Sequence, residues 1–440
     1  MHNLAIALHI KGYQVTGSDD EIFDPSKSRL NKYGLLPKSM GWSASAIHKN
    51  LDAVILGMHA RKDNPELLKA KELGIPIYSY PEYVYEQTKN KTRIVIGGSH
   101  GKTTITSMIL HVFNQVGIET DYLVGAQLEG FECMVGLSEE TKFAVIEGDE
   151  YLSSPIDRRP KFHLYFPNIA IISGIAWDHM NVFPTFENYV EQFEIFTGKV
   201  KENGHLIYFN GDDNTSQVGE NAPAHLNKHA YGTHPHEITK GVTYLQHRES
   251  KFMIKVFGEH NLQNLNAAKI ACECAGISTD DFYEAISSFG GASKRLELLK
   301  ATEERVVYKD FAHSPSKLKA TTEALKNQFP DQKMLAVIEL HTFSSLNKEF
   351  LNQYEGSLAS ADEAFVYFSP EVVAHKRLEE IRPEEVKTAF NSDNVQVFTS
   401  TDDMRTAILN RRQDLDHLLL MSSGHFGGWN LNELADEWLA

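Results

Sequence analysis

A short apolar run that stops on two glycines and resumes as a helix constrains this chain most. Residues 92–104 read TRIVIGGSHGKTT. Arg93 to Ile96 is short and β-branched, as a buried strand is. Ile105, Met108, Ile109, Val112, Phe113 and Val116 then recur at helical spacing. Gly98, Ser99, His100, Gly101, Lys102, Thr103 and Thr104 therefore lie on a strand-to-helix turn. Unpaired backbone N–H groups and the start of the helix make such a turn an anion site. Lys102 adds the full charge that a polyphosphate needs, and the Thr103 hydroxyl offers a ligand to Mg²⁺. The full phosphate-loop pattern has a further glycine where Ile96 stands, so the match is its shorter form. The alternative is a tight turn with a surface lysine. For His100, packing or capping competes evenly with a phosphate contact.

The chain around this turn alternates strands and helices, which implies parallel β–α–β units and an α/β fold. Three domains follow from length and pattern: 1–91, 92–291 and 292–440. The first has a helix from His2, strands YQVTG, LDAVILG and IPIYSY, and a helix in NPELLKAKELG, then the polar linker TKNKT. It opens on a helix, without the strand and glycine-rich turn expected ahead of it in a Rossmann-like unit. The second is the larger block that holds the phosphate loop. FGGAS at 289–293 reads as a hinge. The third alternates ERVVYKDF, a helix over 316–328, KMLAVIEL, EAFVYF, VQVF, a helix over 402–411, HLLLMSS and a last helix, again Rossmann-like.

Composition excludes several classes. The formal charge is −16 with no basic stripe, which argues against a nucleic-acid surface. No apolar run reaches the ~20 residues of a membrane span, and the first residues lack a signal-peptide pattern. The cysteines Cys133, Cys272 and Cys274 suit a reducing cytosol and offer no zinc spacing; burial is expected for the last two.

Further strand ends carry polar groups. Glu147, Asp149 and Glu150 follow Ala144-Val145-Ile146, on the edge where α/β folds bind ligands. A carboxylate there can hold Mg²⁺, or the stretch is a solvated acidic turn. Asp178 and His179 follow another apolar run. Thr103, Glu147 and His179 would then converge on one edge. Asn261 and Asn264 open a helix, Asn261 as a cap and Asn264 as an amide facing adenine or phosphate. Lys294 and Arg295 lie just past the hinge, where a cation reaches a phosphate on closure. Asp310 and His313 end the strand ERVVYKDF, and MSSGHFGG pairs a strand end with glycines that allow close approach.

Together these strings resemble the Mur ligase family, ATP-dependent amide ligases of peptidoglycan assembly. The matching pieces are TGSD (16–19), GSHGKTT (98–104), EGDEY (147–151), DH (178–179), GEHNLQNLNAA (258–268), KRLE (294–297), DFAHSP (310–315) and SSGHFGG (422–428), in the family's order. The resemblance implies a cytoplasmic bacterial enzyme that uses ATP and Mg²⁺ and passes through an acyl phosphate. Its partners would be UDP-N-acetylmuramate and an amino-acid or peptide acceptor. PIDRRPKFHLYFP and SSGHFGG are similar to members that attach the recovered tripeptide L-Ala-γ-D-Glu-meso-diaminopimelate. The alternatives are L-alanine as acceptor, or a nucleotide-binding protein without turnover.

By the same resemblance, Gly98 to Thr104 would hold ATP with Lys102, while Thr103 and Glu147 would hold Mg²⁺. His179 would ligate a second Mg²⁺, Asn264 would meet adenine, Arg295 the γ-phosphate and Asp310 the ribose. His313 would lie near the reacting groups; Lys102, Glu147, His179 and His313 form the expected catalytic set. The alanine-adding members carry arginines in the segment equivalent to 339–350, ELHTFSSLNKEF, where this chain has none. Arg158 and Arg159 are the cations available elsewhere for an acceptor, or a surface pair.

Overall fold

The computed structural model describes residues 1–57, 60–128, 130–154, 156–177, 182–291 and 296–440. Two compact units emerge: Met1–His234 with Gln263–Ser288, and Pro235–Leu262 with Phe289–Ala440. Among the described residues, no helix is long and apolar enough to cross a membrane.

The first unit opens on α1 (His2–Ile10), which buries Leu4, Ile6, Ala7 and Leu8, and α2 (Ser26–Lys32). A small parallel pair follows: β1 (Val54–Leu56), α3 (Pro65–Leu73) and β2 (Ile77–Ser79). The ends of α3 follow from local sequence. The Asn64 side chain accepts from the N–H groups of Glu66 and Leu67, Pro65 starts the helix, and Gly74 ends it in a left-handed conformation. Two readings need correction. Tyr13–Gly17, expected as a strand, has no ladder partner among the described residues. β-forming residues make a strand only where a neighbouring backbone offers its N–H and C=O groups. The strand in IPIYSY ends at Ser79, because Ser79 and Glu82 form a capping box that starts α4 (Tyr80–Thr88).

The main sheet of this unit comprises β3 (Thr92–Gly97), β4 (Thr120–Leu123), β5 (Val135–Gly136), β6 (Phe143–Glu147), β7 (Ile169–Ile172), β8 (His205–Phe209) and β9 (Asn227–Tyr231). Its order is β5-β4-β6-β3-β7-β8-β9, parallel throughout except for β5. Central β3 buries Ile94, Val95 and Ile96 completely, the pattern of a parallel strand covered on both faces. The accompanying helices are α5 (Lys102–Gln115), α6 (Phe186–Thr197), α7 (Asp213–Asn221), α8 (Glu259–Cys274), which belongs to this unit from Gln263 onward, and α9 (Thr279–Ser287). One charge sits inside the apolar strand. The fully buried Arg93 guanidinium donates to the carbonyls of Thr88, Lys91, Tyr165 and Phe166 and lies 5.2 Å from the Tyr85 ring centroid. A buried guanidinium is tolerated when its N–H groups find acceptors, and here four carbonyls supply them.

The second unit holds an antiparallel meander, β10 (His236–Thr239), β11 (Val242–His247) and β12 (Ser250–Ile254), and a larger sheet. That sheet contains β13 (Glu297–Ala301), β14 (Val306–Asp310), β15 (Met334–Glu339), β16 (Glu363–Tyr367), β17 (Val395–Phe398) and β18 (His417–Met421). The order is β13-β14-β18-β15-β16-β17, parallel except at β13. Helices α10 (Pro315–Gln328), α11 (Pro370–His375), α12 (Pro383–Phe390), α13 (Thr401–Asn410) and α14 (Leu431–Leu439) complete it. The expected strands of the third domain are all present. The meander joins α10 through Gln328, which accepts from the Thr243 hydroxyl at 3.0 Å and donates to the Gly241 carbonyl at 2.6 Å.

Candidate nucleotide-binding site

The loop between β3 and α5 lies at the carboxyl edge of the main sheet. Gly98 has φ +128° and Gly101 has φ +78°. A Cβ on Gly98 would sit 2.3 Å from Ser173 Oγ, and one on Gly101 would sit 2.2 Å from Asn264 Oδ1. Both positions therefore demand glycine on steric and conformational grounds. Asn264, on α8, is buried against the loop. Ser99 fastens the loop to the segment after β7: its N–H donates to the Gly174 carbonyl at 3.0 Å and its hydroxyl to the Ala176 carbonyl at 2.7 Å. His100 is exposed, and its carbonyl accepts from the Ser173 hydroxyl. Thr104 is buried in the first turn of α5.

Lys102 curls back within this loop. Its ammonium donates to the Gly98 carbonyl at 2.5 Å and to the Glu150 carboxylate at 2.9 Å. Burial alone would lower the Lys102 pKa, but the Glu150 carboxylate more than offsets it and the net shift is upward. Glu150 is 1% exposed. The Tyr189 hydroxyl, on α6, lies 3.3 Å from Glu150 Oε1 and 2.9 Å from Ser99 Oγ. Sequence reading missed Tyr189 and the pairing of Glu150 with Lys102. No local pattern signals a contact between residues 90 positions apart.

Beside this pair, the Thr103 hydroxyl donates to Glu147 Oε1 at 3.0 Å, and the Gly125 N–H donates to Oε2 at 2.9 Å. Burial raises the Glu147 pKa, against the opposing pull of the Gly125 N–H and Lys102. A hydroxyl and a half-buried carboxylate next to a phosphate cradle are the donor set of a hard divalent cation, and Mg²⁺ fits them. Asp149, from the same acidic stretch, faces away to Lys161 at 2.5 Å.

The first unit thus brings together Gly98, Ser99, His100, Gly101, Lys102, Thr103, Thr104, Glu147 and Asn264. Asp310 and His313 belong to the second unit, at and just beyond the carboxyl end of β14. Asp310 accepts from the N–H groups of Leu296 and Ala312, and His313 Nδ1 lies 2.8 Å from the Phe311 carbonyl. Asp178, His179, Lys294 and Arg295 fall outside the described residues, as do Ala292 and Ser293 of the expected hinge.

Two expectations are corrected, and the arginine pair lies on the surface, one of its two expected readings. Asn261 is inside the first turn of α8, where its amide donates to the Phe257 carbonyl at 2.8 Å instead of capping the helix. Cys272 is fully buried, whereas Cys274 is half-buried beside two histidines. Arg159 is committed to Asp157 at 2.7 Å and Glu82 at 3.1 Å, so only Arg158 of that pair keeps an exposed side chain without an ion pair among the described residues.

The second unit adds a carboxylate that sequence reading passed over. Glu339, the last residue of β15 and 5% exposed, accepts from the Ser422 hydroxyl and from the Phe426 N–H at 2.9 Å. It thereby holds the SSGHFGG turn. A Cβ on Gly424 would lie 2.7 Å from Glu339 Oε2.

Family comparisons cover most of the chain. Residues 1–92 match the Mur ligase family, catalytic domain; 96–272 match the Mur ligase middle domain; and 294–424 match the Mur ligase, glutamate ligase domain. A UDP-N-acetylmuramate–L-alanine ligase of Lactiplantibacillus plantarum is 31% identical over 380 residues, 83% of this chain and 81% of that protein. The chain belongs to the Mur ligase family. It is accordingly an ATP-dependent amide ligase with the family's three-domain α/β fold. Another Mur ligase, the UDP-N-acetylmuramate–L-alanyl-gamma-D-glutamyl-meso-2,6-diaminoheptandioate ligase of Escherichia coli, is 29% identical over 97% of this chain and 94% of that protein. Among solved Mur ligases, the UDP-N-acetylmuramate-alanine ligase of Thermotoga maritima shares the fold at a TM-score of 0.67, 20% identity, and 99% and 95% coverage of the two chains. The murein peptide ligase of Psychrobacter arcticus does so at 0.60, 22% identity, and 100% and 96% coverage.

Proposed function

We propose that this Mur ligase joins the tripeptide L-Ala-γ-D-Glu-meso-diaminopimelate to UDP-N-acetylmuramate, in peptidoglycan recycling in the bacterial cytoplasm. The observation that carries the choice of acceptor is the state of Lys348. It is the only lysine of 339–350, a segment without arginine, and it is held by Glu385 at 2.8 Å and Glu379 at 3.2 Å. A single small amino acid needs a tight pocket with a cation for its carboxylate, and a guanidinium is the usual clamp. This segment has no uncommitted cation to serve. The match to the E. coli tripeptide ligase over nearly the full length of both chains supports the same reading. L-alanine is the second reading, favoured by the 31% identity to the L. plantarum alanine ligase.

The reaction proceeds in two transfers. A lactyl carboxylate oxygen of the sugar nucleotide attacks the γ-phosphorus of ATP, and ADP leaves. The free amine of the acceptor then attacks the acyl carbon, loses a proton, and phosphate departs with the electron pair of the broken C–O bond. Such chemistry needs positioning and neutralised charge more than covalent help. The loop N–H groups and Lys102 bind the phosphates, and Lys102 exchanges Glu150 for them. Thr103 and Glu147 would hold Mg²⁺, which supplies charge neutralisation at the phosphates. On the family resemblance we assign His179 to a second Mg²⁺, Asn264 to adenine, Arg295 to the γ-phosphate, Asp310 to the ribose and His313 to the reacting groups. Domains at 1–91, 92–291 and 292–440 complete the proposal.

A competition assay tests the acceptor. Both acceptors at equal concentration, with products separated by mass, should show at least about a tenfold preference in kcat/KM for the tripeptide, roughly 1.4 kcal/mol in transition-state binding. Exclusive formation of the alanine adduct would overturn the assignment.

A further inference from the structure

A second constellation lies at the other end of the main sheet from the phosphate loop. His205 is the first residue of β8, and its Cα pairs with Asn227 of β9, two residues before His229. Alternation along a strand puts both imidazoles on one face. The last turn of α8 lays Cys274 against them. His205 Nδ1 and His229 Nε2 are 3.0 Å apart, and Cys274 Sγ is 3.8 Å from the same His229 nitrogen. All three potential ligand atoms lie within 4.8 Å of one another, and all three residues are half-buried.

We propose that His205, His229 and Cys274 form a transition-metal site of the Zn²⁺ class, separate from the Mg²⁺ and nucleotide groups. Two imidazole nitrogens and one thiolate are a borderline-soft donor set, suited to Zn²⁺ and Co²⁺ and unsuited to Mg²⁺. Tetrahedral ligation at about 2.0–2.1 Å for nitrogen and about 2.3 Å for sulfur sets ligand atoms roughly 3.3–3.7 Å apart. The His205–His229 and His229–Cys274 spacings lie within a few tenths of an ångström of that range, and the His205–Cys274 spacing is no more than 4.8 Å. Three protein ligands leave a fourth position for water.

Burial lowers the pKa of both histidines, which favours the neutral imidazole that a metal takes. Burial pushes the Cys274 thiol up to about 11, so metal binding must expel the thiol proton, and affinity rises with pH. The metal would tie two adjacent strands to the end of the helix that carries Asn264.

The test uses the full chain, stripped of metal and kept in excess Mg²⁺, titrated with Co²⁺ alone. One equivalent should produce an intense thiolate-to-cobalt charge-transfer band in the near ultraviolet, with visible bands of four-coordinate cobalt. Zn²⁺ should then displace it. Oxygen ligands at Thr103 and Glu147 cannot produce the charge-transfer band, which separates the two sites. Cys274→Ala should abolish the band while Cys133→Ala keeps it, and His205→Ala should weaken Co²⁺ binding at least tenfold. Far-ultraviolet circular dichroism checks that each variant is folded. No charge-transfer band in the unsubstituted chain, or a band that survives Cys274→Ala, would overturn the proposal.

Discussion

Lys102→Ala removes a cation from the phosphate loop and also leaves a carboxylate behind. Glu150, 1% exposed, keeps the Tyr189 hydroxyl at 3.3 Å among its neighbours but loses the ammonium at 2.9 Å. Breaking a buried ion pair from one side costs about 3–5 kcal/mol. Glu150 can escape part of that cost by taking up a proton. Protonating an ordinary glutamate at pH 7 costs about 1.36 kcal/mol for each of roughly 2.7 pH units, which caps the loss near 4 kcal/mol. At pH 5 the same cap falls to about 1 kcal/mol. The variant should therefore lose about 3–4 kcal/mol at neutral pH and recover most of it in mild acid, relative to the unsubstituted chain. Adding Glu150→Gln, which keeps the shape and removes the charge, should restore stability to within about 1 kcal/mol. Turnover should stay absent in both variants. Hydrogen exchange at the amides of β3 and α5 measures the element that holds the pair without assuming that the whole chain unfolds in one step. A loss below about 1 kcal/mol at neutral pH, or no rescue by Glu150→Gln, would refute the reasoning.

Two further outcomes follow from the geometry. Gly101→Ala places a methyl 2.2 Å from Asn264 Oδ1 at φ +78°, so the loop or α8 must move; ATP affinity, measured by calorimetry, should fall at least about tenfold while circular dichroism is unchanged. Unchanged affinity would detach the loop from nucleotide binding. His163 is buried against the Gln192 carbonyl at 2.7 Å, and burial lowers its pKa to about 4. A depressed histidine pKa stabilises the fold above the unfolded value and loses that contribution as pH falls through the folded one. The chain should lose about 3 kcal/mol between pH 6.5 and 4 from this group, and acid titration of a His163→Gln variant should show one proton less taken up on unfolding.

The sequence made the phosphate loop legible because its signal is local: a β-branched strand, glycines and a helical period lie within about two dozen residues. Glu147 was legible for the same reason, since it directly ends a strand. Local signals failed where a distant partner decides the outcome. Tyr13–Gly17 has the composition of a strand but no neighbour to pair with among the described residues. Arg93 looks out of place in an apolar strand until the carbonyls of Thr88, Lys91, Tyr165 and Phe166 are seen around it. Cys274 has no metal-binding spacing in sequence, because its histidine partners lie 45 and 69 positions upstream on two strands. Tyr189 and Glu150 meet only once α6 has packed against the sheet.

Glu339 gives the turn after β18 an unusual rigidity of length. Surface connections usually accept an extra residue cheaply, since loop entropy grows slowly with length and nothing buried depends on their count. Between 422 and 426 the count matters. One carboxylate oxygen is met by groups four residues apart, with a glycine between them that has no room for a side chain. An inserted residue would withdraw the Phe426 N–H and leave a buried charge under-satisfied. In a library of single-residue insertions selected for folded protein, this turn should be depleted to the level of the core strands, while the exposed turn at Arg248–Glu249 between β11 and β12 fills freely.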